Sequence, residues 1–260
     1  MKRRRNLNWP RKPLSKKAEP KTDLAPLTKY DPERVVAKQG RDEFTEFTMA
    51  LAVAYNDLKG LFLWRELLLP LKPPDPTVVS AKSGEWHGVE IQIHRLLVAQ
   101  LHELLKLIKE FESVASGEAM HRLLKKAPPS TRHHWDDLVK IATEKGTPRD
   151  TAFAEVLVQT RNSVSYHYYQ PKMLIAGFRH YFFELAPGAH NESAFASIGE
   201  NMEQTRFYFA DAAILGALTK LTEKNMTSAK FVKRLRAAID SVNHALEHIV
   251  TIYLEQAKLP

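Results

Sequence analysis

The sequence lacks cysteine altogether and has only 10 glycines in 260 residues. Without thiols, a disulfide framework, a thiolate zinc site, an iron–sulfur cluster and cysteine catalysis are all excluded. The glycine patterns of phosphate-binding loops, G-x-G-x-x-G and G-x-x-x-x-G-K-[ST], do not occur either, so a nucleotide-binding loop of these kinds is not expected. These absences exclude most of the familiar enzyme classes.

Long hydrophobic runs are also absent. The longest apolar stretch, from Leu58 to Leu71, is interrupted by three charged side chains, and no apolar segment follows the basic residues 2–5 as it would in a secretory signal. A transmembrane helix is therefore not predicted, and no membrane is expected among the partners. The lack of cysteine fits a reducing compartment, so we expect a cytoplasmic protein.

Basic residues concentrate at the N-terminus. Residues 1–34 contain eleven Lys and Arg against four Asp and Glu, a balance of +7, whereas the whole chain has a net charge of +8. This segment also holds five of the fifteen prolines and has no apolar period, so it is predicted to be a disordered basic tail. Such a tail either binds RNA or DNA by neutralising phosphates or is a solubilising leader without a specific partner.

From residue 35 onward the pattern is helical. Apolar side chains recur at spacings of three and four and predict long helices near residues 41–69, 85–113 and 227–257. No strand–helix alternation suggests a parallel sheet. The sequence therefore predicts an all-α fold, a bundle of long antiparallel helices in a single domain over residues 35–260.

Shorter elements are indicated by turn and cap residues. Ser130 resembles the N-cap of a helix that follows a Pro-Pro pair, and Thr147-Pro148 resembles the start of the next one. The apolar and aromatic stretch 173–185 is compatible with a helix or a strand. A further helix is predicted near residues 198–222.

Two histidine-containing segments resemble metal or acid–base sites but have simpler explanations. His244 to His248 matches H-x-x-E-H, an inverted zinc-peptidase motif, yet only twelve residues follow it to supply a third ligand. Residues 132–137 place two aspartates in the first turns of a helix, where carboxylates oppose the macrodipole. Neither segment predicts a metal site, and no cofactor is expected.

The most informative segment is residues 160–169, T-R-N-S-V-S-Y-H-Y-Y. Arg161 is a permanent bidentate donor for a phosphate, and His167 is a proton donor or acceptor near neutral pH. These two groups suffice for RNA cleavage without a metal. The 2′-hydroxyl of the RNA attacks, the histidine moves a proton, and the arginine stabilises the charged phosphorane.

Arg161-Asn162-(x)4-His167 resembles the R-x(4–6)-H motif of the HEPN superfamily, with the polar residue that commonly follows the arginine. HEPN domains are small bundles of long helices, and the resemblance covers roughly residues 41–185. The predicted helices over 198–257 have no counterpart in a minimal HEPN bundle. The resemblance implies a metal-independent endoribonuclease, often a toxin or antiviral defence effector, whose two motifs meet across a homodimer. Arg161 and His167 are then catalytic, Asn162 is a polar positioning group, RNA is the substrate, and a toxin would have a cognate antitoxin protein.

Helix geometry leaves alternatives open. Six positions rotate an ideal α-helix by about 240°, so Arg161 and His167 converge only if the helix loosens before Pro171 or if a second chain supplies one of them. A non-catalytic helical module that binds protein or nucleic acid predicts instead that Arg161 forms an ion pair within the chain. A helical ligand-binding protein predicts an apolar pocket lined by residues 166–183.

Overall fold

The computed structural model describes residues 25–36, 42–75, 78–162, 172–185 and 193–259. Within these ranges the regular elements are helices, and extended pairing is limited to two isolated bridges, Tyr30 with Lys258 and Ser197 with Arg206. The predicted all-α class is therefore confirmed. None of the helices in these ranges is long and apolar enough to cross a membrane.

The α-helices of the described part are numbered here in chain order. They are α1 (Pro32–Val35), α2 (Glu43–Leu68), α3 (Ala81–Glu110), α4 (Glu112–Ala115), α5 (Glu118–Lys126), α6 (Pro129–Ala142), α7 (Pro148–Thr160), α8 (Met173–Arg179), α9 (Tyr208–Asn225) and α10 (Ser228–Glu255). The shorter turns are the 3-10 helices Leu69–Leu71 and Met202–Gln204 and the π-helical segment His180–Glu184.

Polar caps define where the three long helices begin. The side chains of Asp42, Ser80 and Thr227 accept hydrogen bonds from backbone N–H groups in the first turns of α2, α3 and α10. Because Ser80 caps α3, this helix begins at Ala81 rather than at residue 85. The three long helices are otherwise confirmed to within a few residues of their predicted ends.

These helices share one hydrophobic core. Phe47 of α2 stacks on Phe111 with ring centroids 5.4 Å apart and meets the edge of Trp135 at 6.1 Å. Trp135 is almost fully buried, and its indole N–H donates to the carbonyl of Ala115 at 3.2 Å. Helix α10 packs on α2 and α6 and buries Leu246 completely. The C-terminal helix is therefore part of the central core rather than an addition at its edge.

Of the two helix starts predicted from turn and cap residues, one is confirmed and one is wrong. Thr147-Pro148 does open a helix, because Pro148 takes the first turn of α7 and the Asp150 carboxylate accepts the N–H of Thr147 at 3.0 Å and its hydroxyl at 2.8 Å. The prediction that Ser130 is an N-cap is wrong. Helix α6 already begins at Pro129, because the fixed φ of proline suits a first helical position.

After residue 172 the structure differs from the sequence-based prediction at the start of α9. Residues 173–185 are helical, as α8 and the π-helical segment. The helix predicted over 198–222 starts only at Tyr208. Ser197 and Arg206 exchange two backbone hydrogen bonds of 2.8 Å, which hold the residues between them in a loop instead of a helix.

Helices α8 and α9 approach each other through two glycines. A Cβ atom added to Gly177 would lie 2.1 Å from the carbonyl oxygen of Ala213, and one added to Gly216 would lie 2.1 Å from the carbonyl oxygen of Gly177. Backbone atoms cannot yield to such a contact without moving the helices apart. Glycine at both positions is therefore required for this packing.

Part of the predicted tail is attached to the bundle. The N–H of Asp31 donates to the carbonyl of Ala257 at 2.8 Å, and the hydroxyl of Tyr253 donates to the carbonyl of Val35 at 2.6 Å. The prediction that the whole segment 1–34 is a disordered basic tail therefore needs correction at its C-terminal end, where Asp31 caps the short helix α1. Residues 1–24, which carry nine of the eleven basic side chains, lie outside the described residues.

Candidate functional site

Arg161 follows directly on α7, and the buried face of α7 fixes its position. Phe153, Val156 and Leu157 are completely buried. Arg161 keeps helical dihedral angles, φ −58° and ψ −48°, while residues 161–162 form a wider π-helical turn. Widened turns of this kind are frequent at functional sites. The core thus places the Arg-Asn pair at the end of a well-anchored helix.

Arg161 binds a carboxylate on a neighbouring helix. Its Nε donates to Oε1 of Glu103 on α3 at 2.9 Å, and its Nη1 donates to Oδ1 of Asn162 at 3.0 Å. The side chains of Arg161 and Glu103 are 33% and 39% exposed, so solvent reaches the pair. An ion pair within the chain is the arrangement that a non-catalytic module predicts for Arg161.

His167 is the third site residue predicted from the sequence, and it lies outside the described residues. The structure therefore brings Arg161 and Asn162 together but gives no distance from either of them to His167. The convergence of arginine and histidine at one cleft stays a prediction.

His102 lies beside the ion pair and was missed by the sequence reasoning. It precedes Glu103 on α3 and is half-buried. Burial lowers the pKa of His102, and the positive charges of Arg161 and Lys106 add to the lowering, whereas Glu103 opposes it. The neutral ring has one N–H donor and one acceptor nitrogen. No sequence signal links His102 to Arg161, because only the packing of α3 on α7 brings them together.

The H-x-x-E-H segment joins two helices. The ring of His244 on α10 stacks on His134 of α6 with centroids 5.0 Å apart, and Nδ1 of His248 lies 2.9 Å from the carbonyl oxygen of His244, to which it donates. Across the residues that the structure describes, no group of three His, Asp or Glu side chains is arranged to hold a metal ion. The geometry therefore gives this segment a packing role between α6 and α10.

Among residues 132–137, Asp137 connects helices of the bundle. Asp137 accepts two hydrogen bonds from Arg234 of α10, at 2.9 and 3.0 Å, and Nε of Arg234 also donates to Asp150 of α7 at 2.9 Å. Arg234 is largely buried and lies over the ring of Phe153. This network connects α6, α7 and α10, so it explains the segment without catalysis.

A second polar cluster surrounds the π-helical segment. His180 is buried, its Nδ1 lies 2.9 Å from the Glu184 carboxylate and its Nε2 lies 3.6 Å from the carboxylate of Glu223 on α9. Lys220 lies 3.4 Å from Glu184. These contacts hold the π-helical segment against α9, so the arrangement is a structural one.

A cavity of about 790 Å³ lies between the first half of α3, the π-helical segment and α9. Its walls include the aromatic side chains of Tyr181, Phe182 and Phe209, with His87 and His94 on the α3 side. The volume falls within the range of small-molecule sites. Two of its side chains come from the stretch that the ligand-binding hypothesis named, but Arg161 does not line it.

Comparisons of the chain with protein-family models, with curated proteins and with solved structures give no match.

Proposed function

We propose that this protein is a metal-independent endoribonuclease of the HEPN type that cuts single-stranded RNA. Arg161 binds the scissile phosphate, His167 transfers the proton, and Asn162 positions the guanidinium. The observation that carries the proposal is the side-chain hydrogen bond between Arg161 and Asn162 at the partly exposed end of α7. It fixes the orientation of a phosphate-binding group where an RNA strand has access to it.

The chemistry needs no metal in this proposal. The 2′-hydroxyl adjacent to the scissile phosphate is the nucleophile, and a neutral histidine accepts its proton. Negative charge then accumulates on the phosphorane oxygens until the P–O5′ bond breaks, and the 5′-oxygen leaves as a hydroxyl with the proton that the histidine had accepted. A guanidinium offers planar paired N–H donors to these oxygens, so Arg161 stabilises the transition state more than the ground state.

The Arg161–Glu103 ion pair has a defined place in this scheme. A phosphate that binds the guanidinium competes with the carboxylate of Glu103 for the same donors. Because both side chains are about one-third exposed, the pair is partly solvated, and exchanging one anion for another requires no burial of new charge. Glu103 is therefore a counter-ion that RNA replaces.

Partners follow from the same proposal. RNA is the substrate, a second copy of the chain completes the site, and a toxin or antiviral defence effector acting in the cytoplasm would be held in check by a cognate antitoxin protein. The basic residues 1–24 add sequence-independent affinity for RNA. Deleting them should flatten the salt dependence of RNA binding, because each released counterion contributes to that slope.

Cleavage of an end-labelled single-stranded RNA in the presence of EDTA tests the proposal. Arg161→Ala and His167→Ala should lose cleavage while keeping the helical circular dichroism spectrum. Arg122→Ala, which removes an exposed arginine paired with Glu118 on α5, and His248→Ala are the matched controls and should cleave as the wild type does. Cleavage that survives in both site variants, or that requires a divalent metal, contradicts the proposal.

The alternative is a non-catalytic helical module that binds protein or nucleic acid. The Arg161–Glu103 ion pair favours it, because a structural arginine is expected to be paired within its own chain. In that case wild-type protein binds RNA or a protein partner without cutting RNA. Arg161→Ala then lowers the stability of the α3–α7 packing and has no effect on any product, because none forms.

A further inference from the structure

Helix α2 has apolar side chains on two opposite faces. One face is buried in the bundle and consists of Phe47, Leu51, Ala54, Leu58 and Leu61. The other face points to solvent, and its large apolar side chains, 40% to 64% exposed, are Met49, Val53, Leu63, Trp64 and Leu67. The outer face of a surface helix is normally polar. The second face of α2 therefore indicates contact with another molecule.

The outer face has the spacing of a coiled-coil seam. The α2 seam is defined here by six positions, Met49, Val53, Asn56, Gly60, Leu63 and Leu67. Successive members are separated alternately by four and three residues, which is the a/d pattern of the heptad repeat. Two helices that meet along such seams cross at a shallow angle of about 20°, so contact extends along the whole seam.

We propose that two copies of the chain associate by packing their α2 seams antiparallel about a two-fold axis. The axis passes level with Leu58, so Met49 faces Leu67 of the second copy, Val53 faces Leu63, and Asn56 faces Gly60. Each contact occurs twice, as an isologous interface requires.

The shapes at the centre of the seam favour the antiparallel arrangement. A Cβ atom added to Gly60 would have no atom within 4 Å, so the seam has an open position there. In the antiparallel pair, Asn56 of the second copy fills that position. A parallel pair would set Gly60 against Gly60 and leave a gap. One asparagine in an apolar seam also fixes the register of the pairing.

The exposed area is close to what a stable dimer needs. Trp64 has on the order of 150–250 Å² of surface, the four aliphatic side chains of the outer face have somewhat less, and all five are about half exposed. They provide on the order of 500 Å² per chain, so a symmetric pair buries roughly 1,000 Å² in total, which is the lower bound for a biological interface.

Other occupants fit the α2 seam less well. Residues 1–24 of the same chain carry nine basic side chains and no apolar period, so they lack the regularly spaced apolar side chains that would pair with the seam. A membrane-surface helix has a Lys- and Arg-rich polar border, whereas the α2 seam is bordered by the acidic Asp57 on one side and by Lys59 on the other. A second copy supplies an apolar seam of the same length.

This association goes beyond the proposed ribonuclease and does not depend on it. The seam lies on α2, whereas Arg161 lies at the end of α7, and both helices pack on α3. A dimer through α2 is expected whether or not the chain cuts RNA. An inactive protein would therefore leave this inference intact, whereas a dimer that forms without the α2 seam would overturn it and leave the proposed ribonuclease intact.

Cysteine cross-linking tests the register directly, because the natural chain has no cysteine. A Val53→Cys chain mixed with a Leu63→Cys chain of different tag length should form a disulfide-linked pair under mild oxidation. Neither variant should cross-link alone, because two copies of one position are offset by about 15 Å along the antiparallel helices, beyond the reach of a disulfide. Val232→Cys, exposed on α10, is the matched control. Self-linking of Val53→Cys would overturn the proposal.

Sedimentation of the full chain gives the second test. The wild type should be a dimer at micromolar concentration. Leu67→Glu should raise the dimer dissociation constant by at least about 100-fold, because a symmetric interface then buries two unpaired charges. Val232→Glu should leave the dimer intact, and circular dichroism should show the same helix content for both. A monomeric wild type, or a dimer unaffected by Leu67→Glu, would overturn the proposal.

Discussion

Arg161 at the end of α7 and Glu103 on α3 are joined by a contact of 2.9 Å between Nε and Oε1. Both side chains are about one-third exposed, so water screens the pair, and its contribution to stability is about 0.2–1 kcal/mol. An ion pair of this strength connects α3 and α7 but adds little to the stability of their packing. In the proposed reaction, an RNA phosphate has to displace this carboxylate from the guanidinium.

The first prediction concerns Glu103→Gln. This change removes the negative charge that competes for Arg161 and keeps the shape of the side chain. The dissociation constant for single-stranded RNA should fall roughly 2- to 5-fold, which corresponds to the loss of up to about 1 kcal/mol of competition. Fluorescence anisotropy with labelled RNA measures it. Glu110→Gln, on the same helix and paired with Lys106, is the control. Weaker binding by Glu103→Gln would mean that the carboxylate positions Arg161 for RNA.

The second prediction concerns pH. Burial lowers the pKa of His134, and the positive charges of His244 and His133 lower it further, against the opposing effect of Asp137 and Asp240. The unfolded chain titrates near the ordinary value of about 6.5. At a pH between the lowered pKa of the folded protein and about 6.5, the unfolded state binds more protons than the folded state. The free energy of unfolding should therefore be highest at neutral pH and should fall as the pH drops through about 6.5.

Urea denaturation at about pH 7.5 and about pH 5.5 measures this effect. His134→Gln cannot titrate, so its unfolding midpoint should fall less between the two pH values than that of the wild type. His121→Gln, on the exposed surface of α5, is the control. The pKa of His102 is also lowered, chiefly by burial, so His102→Gln should reduce the same loss. A wild-type midpoint that does not change between the two pH values would contradict the prediction.

The third prediction compares two glycines that lie inside helices. At Gly216 an added Cβ would lie 2.1 Å from the carbonyl oxygen of Gly177, so Gly216→Ala should force α8 and α9 apart and lower the free energy of unfolding by about 1–3 kcal/mol. At Gly60 an added Cβ has open space. In a Leu67→Glu background, where no second copy covers this position, Gly60→Ala should therefore raise the stability by up to about 1 kcal/mol, because alanine is the better helix former. Urea midpoints that change in the same direction would refute this account.

The long helices could be predicted from the sequence because apolar spacing and polar caps are local signals. The buried stripe of α2 and the cap at Asp42 are both visible in the printed chain. The start of α9 was predicted too early. Apolar residues near Ile198 mimic a helical stripe, and the backbone pairing of Ser197 with Arg206 that excludes a helix is a tertiary effect.

The candidate site was predictable only in part, and for the same reason. Arg161 and Asn162 are adjacent in the chain, so their pairing follows from local geometry. Glu103 and His102 reach them from α3, more than fifty positions away, and no spacing rule connects two such distant segments. The effect of Arg161 on the pKa of His102 therefore emerges only when α3 and α7 are packed together.

The last prediction concerns the products of RNA cleavage. If the 2′-hydroxyl attacks, each cut leaves a 2′,3′-cyclic phosphate on one fragment and a 5′-hydroxyl on the other. A substrate with a single 2′-deoxy residue at the cleavage position should bind with unchanged affinity and stay uncut there.

Two substitutions separate the roles within this reaction. His167→Ala removes proton transfer and should slow cleavage by about 10²–10⁴-fold. Arg161→Lys keeps the positive charge but loses the planar two-point donor, so binding should persist while turnover falls. End-group analysis by mass spectrometry, with rates from labelled RNA in EDTA, measures both effects. Products with a 5′-phosphate would require water as the nucleophile, and that result would exclude the 2′-hydroxyl mechanism even if Arg161 proved essential.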